Sequence, residues 1–533
     1  MGNSVVGATG ARALRIFGAG SGSSPLVGKR RDGLTDERRA AALDVRADRM
    51  LIGASLRASK RLRATWPRLS AATLGRHSRT TPLLILMLAL LAMFNAPSTM
   101  ALSILVVLPA TFRIWIVVLP TVPSPDDAAS PPDEQEPVYS IVVPLRGEAR
   151  VVDQLLSAIE RLNYPREKLD VIVAVEARDH STRAAITARK HRISITVVPV
   201  PAVGPMTKPK ALNVALPFAR GDFTVIYDAE DRPERNQLRA ALKAFQSGGG
   251  DLACVQARLC VDTKTGWLAR YFTAEYAGQF DVFLPKLAAL DLPLPLGGSS
   301  NHFRTSKLRE VGGWDPHNVT EDADLGMRLA RFGYRSGVVA SSTYEEAPAD
   351  IGRWLGQRTR WFKGWMQTWL VHMRRPHRLF RELGPGGFLV FQLIIGGNAL
   401  VALVHPILVL RMIAGSLQWG LGENGSGLEL AFCLLVVIAG YLLSACIGFL
   451  GLAQRGLLRQ AGVLALTPLH WLLLSIAAWR AAVELVYAPF RWTKTEHGLD
   501  KASREKSNTR SLLELEHLLR DLKRRGELAQ IQD

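Results

Sequence analysis

Long stretches without charge constrain this chain more than any other feature. From Pro82 to Pro120 the only charged residue is Arg113, and Leu, Val, Ile, Ala and Met fill most other positions. A helix needs about 20 apolar residues to cross a hydrocarbon core. The run is interrupted at Asn95-Ala96-Pro97-Ser98 and so predicts a transmembrane hairpin over residues 81–120. Gly386–Leu410, Gly427–Ala453 and Ala461–Trp479 are nearly charge-free again, which places a second membrane domain of three to four spans at 386–490. About eighty mostly polar and basic residues precede the first run, unlike a secretory signal. The chain reads as an integral membrane protein.

Charge sets the orientation. Of the net +19, a surplus of +11 lies in residues 1–79, where sixteen basic residues face five acidic ones. Patches such as Arg38-Arg39 and Arg61-Leu62-Arg63 lack aromatic interleaving, so the expected partner is an anionic bilayer rather than nucleic acid. Residues 1–80 are expected to be a disordered cytoplasmic tail. Two crossings then return residues 121–385 to the cytoplasm. Three further crossings would leave the basic C-terminal tail, 491–533, outside. An even number keeps it inside, either because 386–420 passes twice around Pro406 or because 461–490 does not cross fully. Cys254, Cys260, Cys433 and Cys446 show no paired short spacing, which suggests neither a disulfide framework nor a zinc site.

Five prolines and five acids make 121–137 a hydrophilic linker. Residues 138–385 then alternate β-branched runs with helical stretches. Val138–Val143 (closed by Pro144), Val171–Val175, Ile193–Val198 and Phe223–Tyr227 read as strands; Val151–Leu162 and Lys210–Ala219 read as helices. The alternation implies a mostly parallel sheet with helices on both faces. Ligands bind such sheets beyond the C-terminal strand ends.

Acids stand at two of those ends, Glu176 to Asp179 and Asp228 to Asp231, in a chain without a P-loop or G-x-G-x-x-G. They suit a divalent cation shared with substrate phosphates. Further on, Thr320-Glu321-Asp322 opens a helix, and Gln357-Arg358-Thr359-Arg360-Trp361 starts an aromatic one in which Trp361, Trp365 and Trp369 share a face. A lipid-interface belt accounts for part of that stripe. A stacking platform for sugar rings is the sharper reading.

Together these residues resemble the processive, membrane-bound family-2 glycosyltransferases: the cellulose, hyaluronan, chitin and β-1,3-glucan synthases. Asp228, Asp322 and Gln357-Arg360-Trp361 match that group's ordered pattern; Ser140–Pro144, Lys210-Ala211-Leu212-Asn213 and Trp492–Gly498 are weaker agreements. The resemblance implies a GT-A-like, Rossmann-like α/β cytoplasmic domain inserted between α-helical transmembrane segments of a bacterial inner membrane. It implies that Asp179 or Glu176, together with Lys210, Gln357 and Arg360, binds the nucleotide-sugar. Asp228 and Glu230, with Asp231 as a substitute, would hold Mg²⁺ or Mn²⁺. Asp322 would be the general base, and Trp361, Trp365 and Glu321 would meet the acceptor.

The implied function is inverting transfer from a nucleotide-sugar, UDP-glucose or UDP-N-acetylglucosamine, to a growing β-linked polysaccharide that is exported. The charged, helix-prone sequence after Trp492 is not expected to form a cyclic-dinucleotide-binding barrel, so regulated cellulose synthesis fits less well than a shorter exopolysaccharide synthase. Two alternatives stay open. One is transfer of a single sugar to a lipid-linked acceptor, which does not need Gln-x-x-Arg-Trp. The other is a non-catalytic assembly or export subunit. Neither the sugar nor any export or periplasmic partner can be named from sequence.

Overall fold

The computed structural model describes residues 14–16, 49–50, 52–76, 79–80, 84, 87, 96–120, 136–189, 191–262, 266–348, 350–421 and 427–492. Among the described residues, nine strands form one sheet. They are β1 (Leu14–Ile16), β2 (Tyr139–Leu145), β3 (Leu169–Glu176), β4 (Ile195–Val200), β5 (Phe223–Ile226), β6 (Arg232–Pro233), β7 (Leu252–Val261), β8 (Asn301–Arg304) and β9 (Arg335–Glu345). Their spatial order is β1-β4-β3-β2-β5-β8-β7-β9-β6.

Side chains alternate across a strand, and the β-branched runs exploit both faces. Ile141, Val143, Val171, Val173 and Val225 are buried in one core cluster, Val142, Ile172, Ala174 and Ile226 in another. Helices α1 (Val152–Glu160) and α2 (Gln237–Ser247) supply Leu155, Ile159, Leu238 and Phe245 to the first cluster; α3 (Lys208–Ala215) supplies Leu212 and Val214 to the second. The α/β domain with two covered faces is therefore present. Its sheet is mixed rather than mostly parallel. The adjacent strands β4, β3, β2 and β5 run parallel, but β8 inserts antiparallel between β5 and β7, and β6 is antiparallel to β9.

Pro144 does not close its strand. Pairing with β5 stops at Val142, while β2 continues beside β3 to Leu145. On the free side a proline forfeits no ladder bond.

The expectation of a disordered tail fails for its second half. Residues 52–65 are helical, and short 3₁₀ turns follow at Pro67–Leu69 and Ala71–Thr73. Leu62 and Ala71 are fully buried and Leu74 nearly so. Asp315 accepts hydrogen bonds from Ala71 N at 2.6 Å and Ser70 Oγ at 3.2 Å, and Arg374 donates to the carbonyls of Arg68 and Ser70. A few apolar side chains in an Ala/Arg-rich context suffice to dock the segment on the α/β domain.

Among the described residues, four helices are long and apolar enough to cross a membrane: Thr99–Val118, Pro376–Gly420, Gly427–Gln454 and Leu458–Tyr487. The first lies within α4 (Ala96–Val118), which begins at the expected break. The earlier half of the hairpin, except residues 84 and 87, lies outside the described residues, as do 121–135 of the linker and the tail from 493, with the weaker match at 493–498. Pro406 does not turn the chain back: α5 (Gly397–Gly420) continues through it as one helix. Large apolar side chains such as Leu410, Leu435, Leu442 and Ile476 are exposed on these helices, a surface that hydrocarbon would cover.

The two parts of the chain are tightly joined. Helix α6 (Trp267–Ala277), reached from β7, meets the span α7 (Gly427–Gln454) at glycine. A Cβ on Gly451 would lie 2.3 Å from the Ala277 carbonyl carbon, and one on Gly278 would lie 2.9 Å from Ile447 Cγ2. Only backbone fits in that contact.

Candidate active site

Beyond the C-terminal ends of β2, β3 and β5 lies a cavity of about 780 Å³, lined by Leu145, Glu176, Asp228 and Glu230. It continues past Asp322, Gln357, Arg360 and Trp361 and reaches residues of the apolar helices, among them Arg113, Asn398 and His470. The acids at the strand ends and the apolar helices therefore line one space.

Asp228 follows β5. Lys208 Nζ contacts its two carboxylate oxygens at 2.6 and 2.7 Å and also donates to the Gly298 carbonyl at 2.6 Å. Burial opposes the charge on Lys208, but Asp228, Glu321 and Asp322 around it raise its pKa. Asp231 does not reach the cavity. Its carboxylate is fully buried and accepts from Asp228 N at 2.7 Å, so it shapes the turn. Burial beside Asp228 and Glu230 pushes its pKa well up. The carboxylates of this turn that line the cavity are those of Asp228 and Glu230. Two hard-oxygen ligands beside a cavity fit a divalent cation that completes its shell with substrate phosphates, and the ammonium on Asp228 shows that this position favours positive charge.

Helix α8 (Glu321–Arg331) presents Glu321 and Asp322 in its first turn. Asp322 Oδ1 accepts from Ala323 N at 2.7 Å, and both carboxylates line the cavity. Burial raises the pKa of each, that of Glu321 to about 7 with Asp322 adding to the effect. A carboxylate tuned toward neutrality and facing a cavity is equipped to take a hydroxyl proton. Gly298 leaves it room, since a Cβ there would lie 3.3 Å from Asp322 Oδ2.

Beyond β3 the structure separates two residues that sequence left paired. Asp179 caps helix α9 (His180–Ala188), accepting from Thr182 N at 3.1 Å, Ser181 Oγ at 3.0 Å and Gly147 N. Burial works against its charge, yet those bonds hold its pKa below the ordinary value. It is absent from the cavity wall, whereas Glu176, at the end of β3, lines it. Burial raises the Glu176 pKa.

Lys210 is likewise turned away from the cavity. Its ammonium donates to the carbonyls of Pro201 at 2.7 Å and Val203 at 3.1 Å, and it clamps the loop before α3. Lys208, two residues earlier, lines the cavity beside Asp228 instead. Sequence reasoning missed it because both lysines belong to one short motif, and only the position of the helix start decides which faces inward.

Helix α10 (Ile351–His372) carries Gln357, Arg360, Trp361 and Trp365, all on the cavity wall. Arg360 donates to Val319 O at 3.1 Å, which ties α10 to the loop before α8. Trp369 leaves the stripe: its indole donates to Gln392 Oε1 at 2.9 Å, among residues of the first C-terminal span. Arg358, unremarked in sequence, forms two hydrogen bonds to Glu275 and lies 4.4 Å from the Trp361 ring centroid.

A family model described as glycosyl transferase family group 2 matches residues 223–490, and one described as glycosyl transferase family 2 matches residues 140–297. The chain is 26% identical over 257 residues to the probable glycosyltransferase YdaM of Bacillus subtilis, covering 46% of this chain and 59% of that protein. It is 25% identical over 267 residues to the beta-monoglucosyldiacylglycerol synthase of Synechocystis, covering 49% and 55%. The chain thus spans little more than half the length of these relatives. Among solved structures, a mannosyltransferase from Pyrobaculum calidifontis, in complex with GDP-mannose and Mn²⁺, superposes with a TM-score of 0.44 at 20% identity over 67% of this chain and 98% of that one.

Proposed function

We infer the reaction from one premise: the chain belongs to the family-2 glycosyltransferases. It transfers a sugar from a nucleotide-sugar, UDP-glucose or UDP-N-acetylglucosamine, to an acceptor seated beside Trp361, inverts the anomeric carbon, and elongates a β-linked polysaccharide. The continuous cavity from Asp228 and Asp322 past Trp361 to Arg113, Asn398 and His470 carries this reading. An acceptor in that space points toward the membrane helices, the direction in which a lengthening product would leave. The soluble domain lies on the cytoplasmic side of an inner membrane, where nucleotide-sugars are made.

Glu176 faces the nucleotide, and Asp179 keeps α9 in place behind it. A divalent cation held by Asp228 and Glu230 would neutralise charge on the diphosphate. Lys208 and Arg360 add positive charge on the same side, so the leaving nucleoside diphosphate is stabilised as its bond to the sugar breaks. Asp322 takes the proton of the attacking acceptor hydroxyl. Glu321, beside it, keeps negative charge concentrated where that proton arrives. Gln357 and Arg360 steady the diphosphate, Trp361 stacks on the acceptor, and Trp365 extends the aromatic wall.

A second reading, transfer of one sugar to a lipid, is favoured by the cavity's apolar wall of Ile394, Ile395, Ile447 and Leu474. Product length separates the two. Full-length protein in membranes, supplied with labelled UDP-glucose or UDP-N-acetylglucosamine, is expected to give a polymer, and Asp322→Asn to give none while still binding donor. Products of one sugar on lipid would replace the first reading with the second. Full transfer by Asp322→Asn would refute the base assignment.

A further inference from the structure

Below Trp361 the cavity holds more positive charge than its own residues neutralise. Arg358 is almost fully buried and is matched by Glu275, through hydrogen bonds of 2.7 and 2.5 Å. Arg113, the single charge of the first apolar run, has no such match. Its described contacts are Asn398 Oδ1 at 3.2 Å and the face of Phe283, 5.3 Å to the centroid, and its buried Nε has no hydrogen-bond partner. No carboxylate lies within ion-pair distance of it among the described residues. Arg358 Nε and His470 Nε2 are also buried and unpartnered. His470 is 3% exposed and stacks on Tyr271 with centroids 3.9 Å apart. All three residues line the cavity.

Unpaired charge at membrane depth is costly and marks function, and buried polar atoms without partners point to a ligand that supplies them. We propose that Arg113, with Arg358 and His470 beside it, forms an oxyanion subsite for a carboxylate or phosphate carried by the acceptor, one position further into the cavity than the sugar at Trp361. The inference rests on the acceptor occupying the cavity as described above. Arg113 lies close to the end of α4, whose last residue is Val118. A phosphate on a lipid-linked acceptor or a uronate in a growing chain would each supply that oxyanion. Glu275 also acts through charge on Arg113 and His470, but one carboxylate faces two guanidinium groups, so the subsite retains one uncompensated positive charge.

The test uses full-length protein and two matched pairs of probes, with binding read by calorimetric titration. One pair is a glucuronate-terminated and a glucose-terminated oligosaccharide in neutral detergent. The other is an isoprenoid monophosphate and the corresponding isoprenoid alcohol in phosphatidylcholine nanodiscs. In one pair the anionic member is expected to bind about tenfold more tightly than its neutral match, and that pair identifies the source of the oxyanion. Arg113→Gln should abolish the preference, and Arg113→Lys, which keeps the charge, should retain part of it. Equal binding within both pairs, or a preference that survives Arg113→Gln, overturns the subsite. Release of nucleoside diphosphate is scored separately. Its absence with every acceptor, alongside an Arg113-dependent preference, would refute the transferase reading and leave the subsite standing.

Discussion

Lys208 Nζ sits 2.6 Å from one carboxylate oxygen of Asp228 and 2.7 Å from the other. The ammonium neutralises the acid that a divalent cation would use, so the two positive charges compete for one ligand. Lys208→Met is therefore expected to raise affinity for Mn²⁺ in the absence of donor by about tenfold, read as the loss of free Mn²⁺ signal in electron paramagnetic resonance. Because the lysine also faces the diphosphate side of the cavity, the donor KM should rise. Unchanged Mn²⁺ binding would separate Lys208 from the cation site.

Glu321 and Asp322 share one low-dielectric corner, and burial raises both acids above their ordinary values, Glu321 to about 7. A base must be deprotonated to act, so a raised pKa removes activity as pH falls. The kcat profile is expected to decline below about pH 7 as the pair takes up a proton. Glu321→Gln removes the neighbouring charge, and the acid limb should move to lower pH. A limb left in place would assign it to another group.

Glu176 and Asp179 should separate cleanly by kinetics and stability. Glu176→Gln is expected to raise donor KM with little effect on folding. Asp179→Ala removes a helix cap and should cost about 1 kcal/mol of stability, visible in denaturant or thermal unfolding, with donor KM nearly unchanged. The opposite pattern would make Asp179 the nucleotide contact.

Asp315→Ala leaves Ala71 N and Ser70 Oγ without their acceptor. The lost bonds and the unsatisfied amide should cost about 1–3 kcal/mol at the docking of residues 52–74. Trypsin should then cut at Arg61, Arg63 or Arg68 faster than in the unaltered protein. Equal cleavage rates would show that Leu62 and Trp66 hold the segment unaided.

The parallel half of the sheet was legible because Val, Ile and Ala on β2 to β5 are buried on both faces, and such runs read as strands without any partner in view. The reversal at β8 was not. Asn301-His302-Phe303-Arg304 pairs with β5 and β7 across long separations that no local pattern encodes. Asp228, Asp322, Gln357 and Arg360 were found as candidates because their order and spacing carry information, and the fold brings all four to one cavity. Lys208 and Lys210 were interchanged because a helix start shifted by two residues decides which ammonium turns inward. The docked segment at 52–74 was missed since its buried residues, chiefly Leu62, Ala71 and Leu74, are too sparse to stand out among arginines.

The glycine contact between Gly278 and the span at Gly451 limits the mechanical freedom of the whole enzyme. With backbone pressed on backbone, the catalytic domain cannot pivot about that junction like a head on a neck without breaking the packing. In the proposed elongation, an acceptor would advance by sliding, or by small movements of side chains and loops within the cavity. The distance between Asp322 and the apolar helices would then stay constant through each turnover, like a fixed ruler.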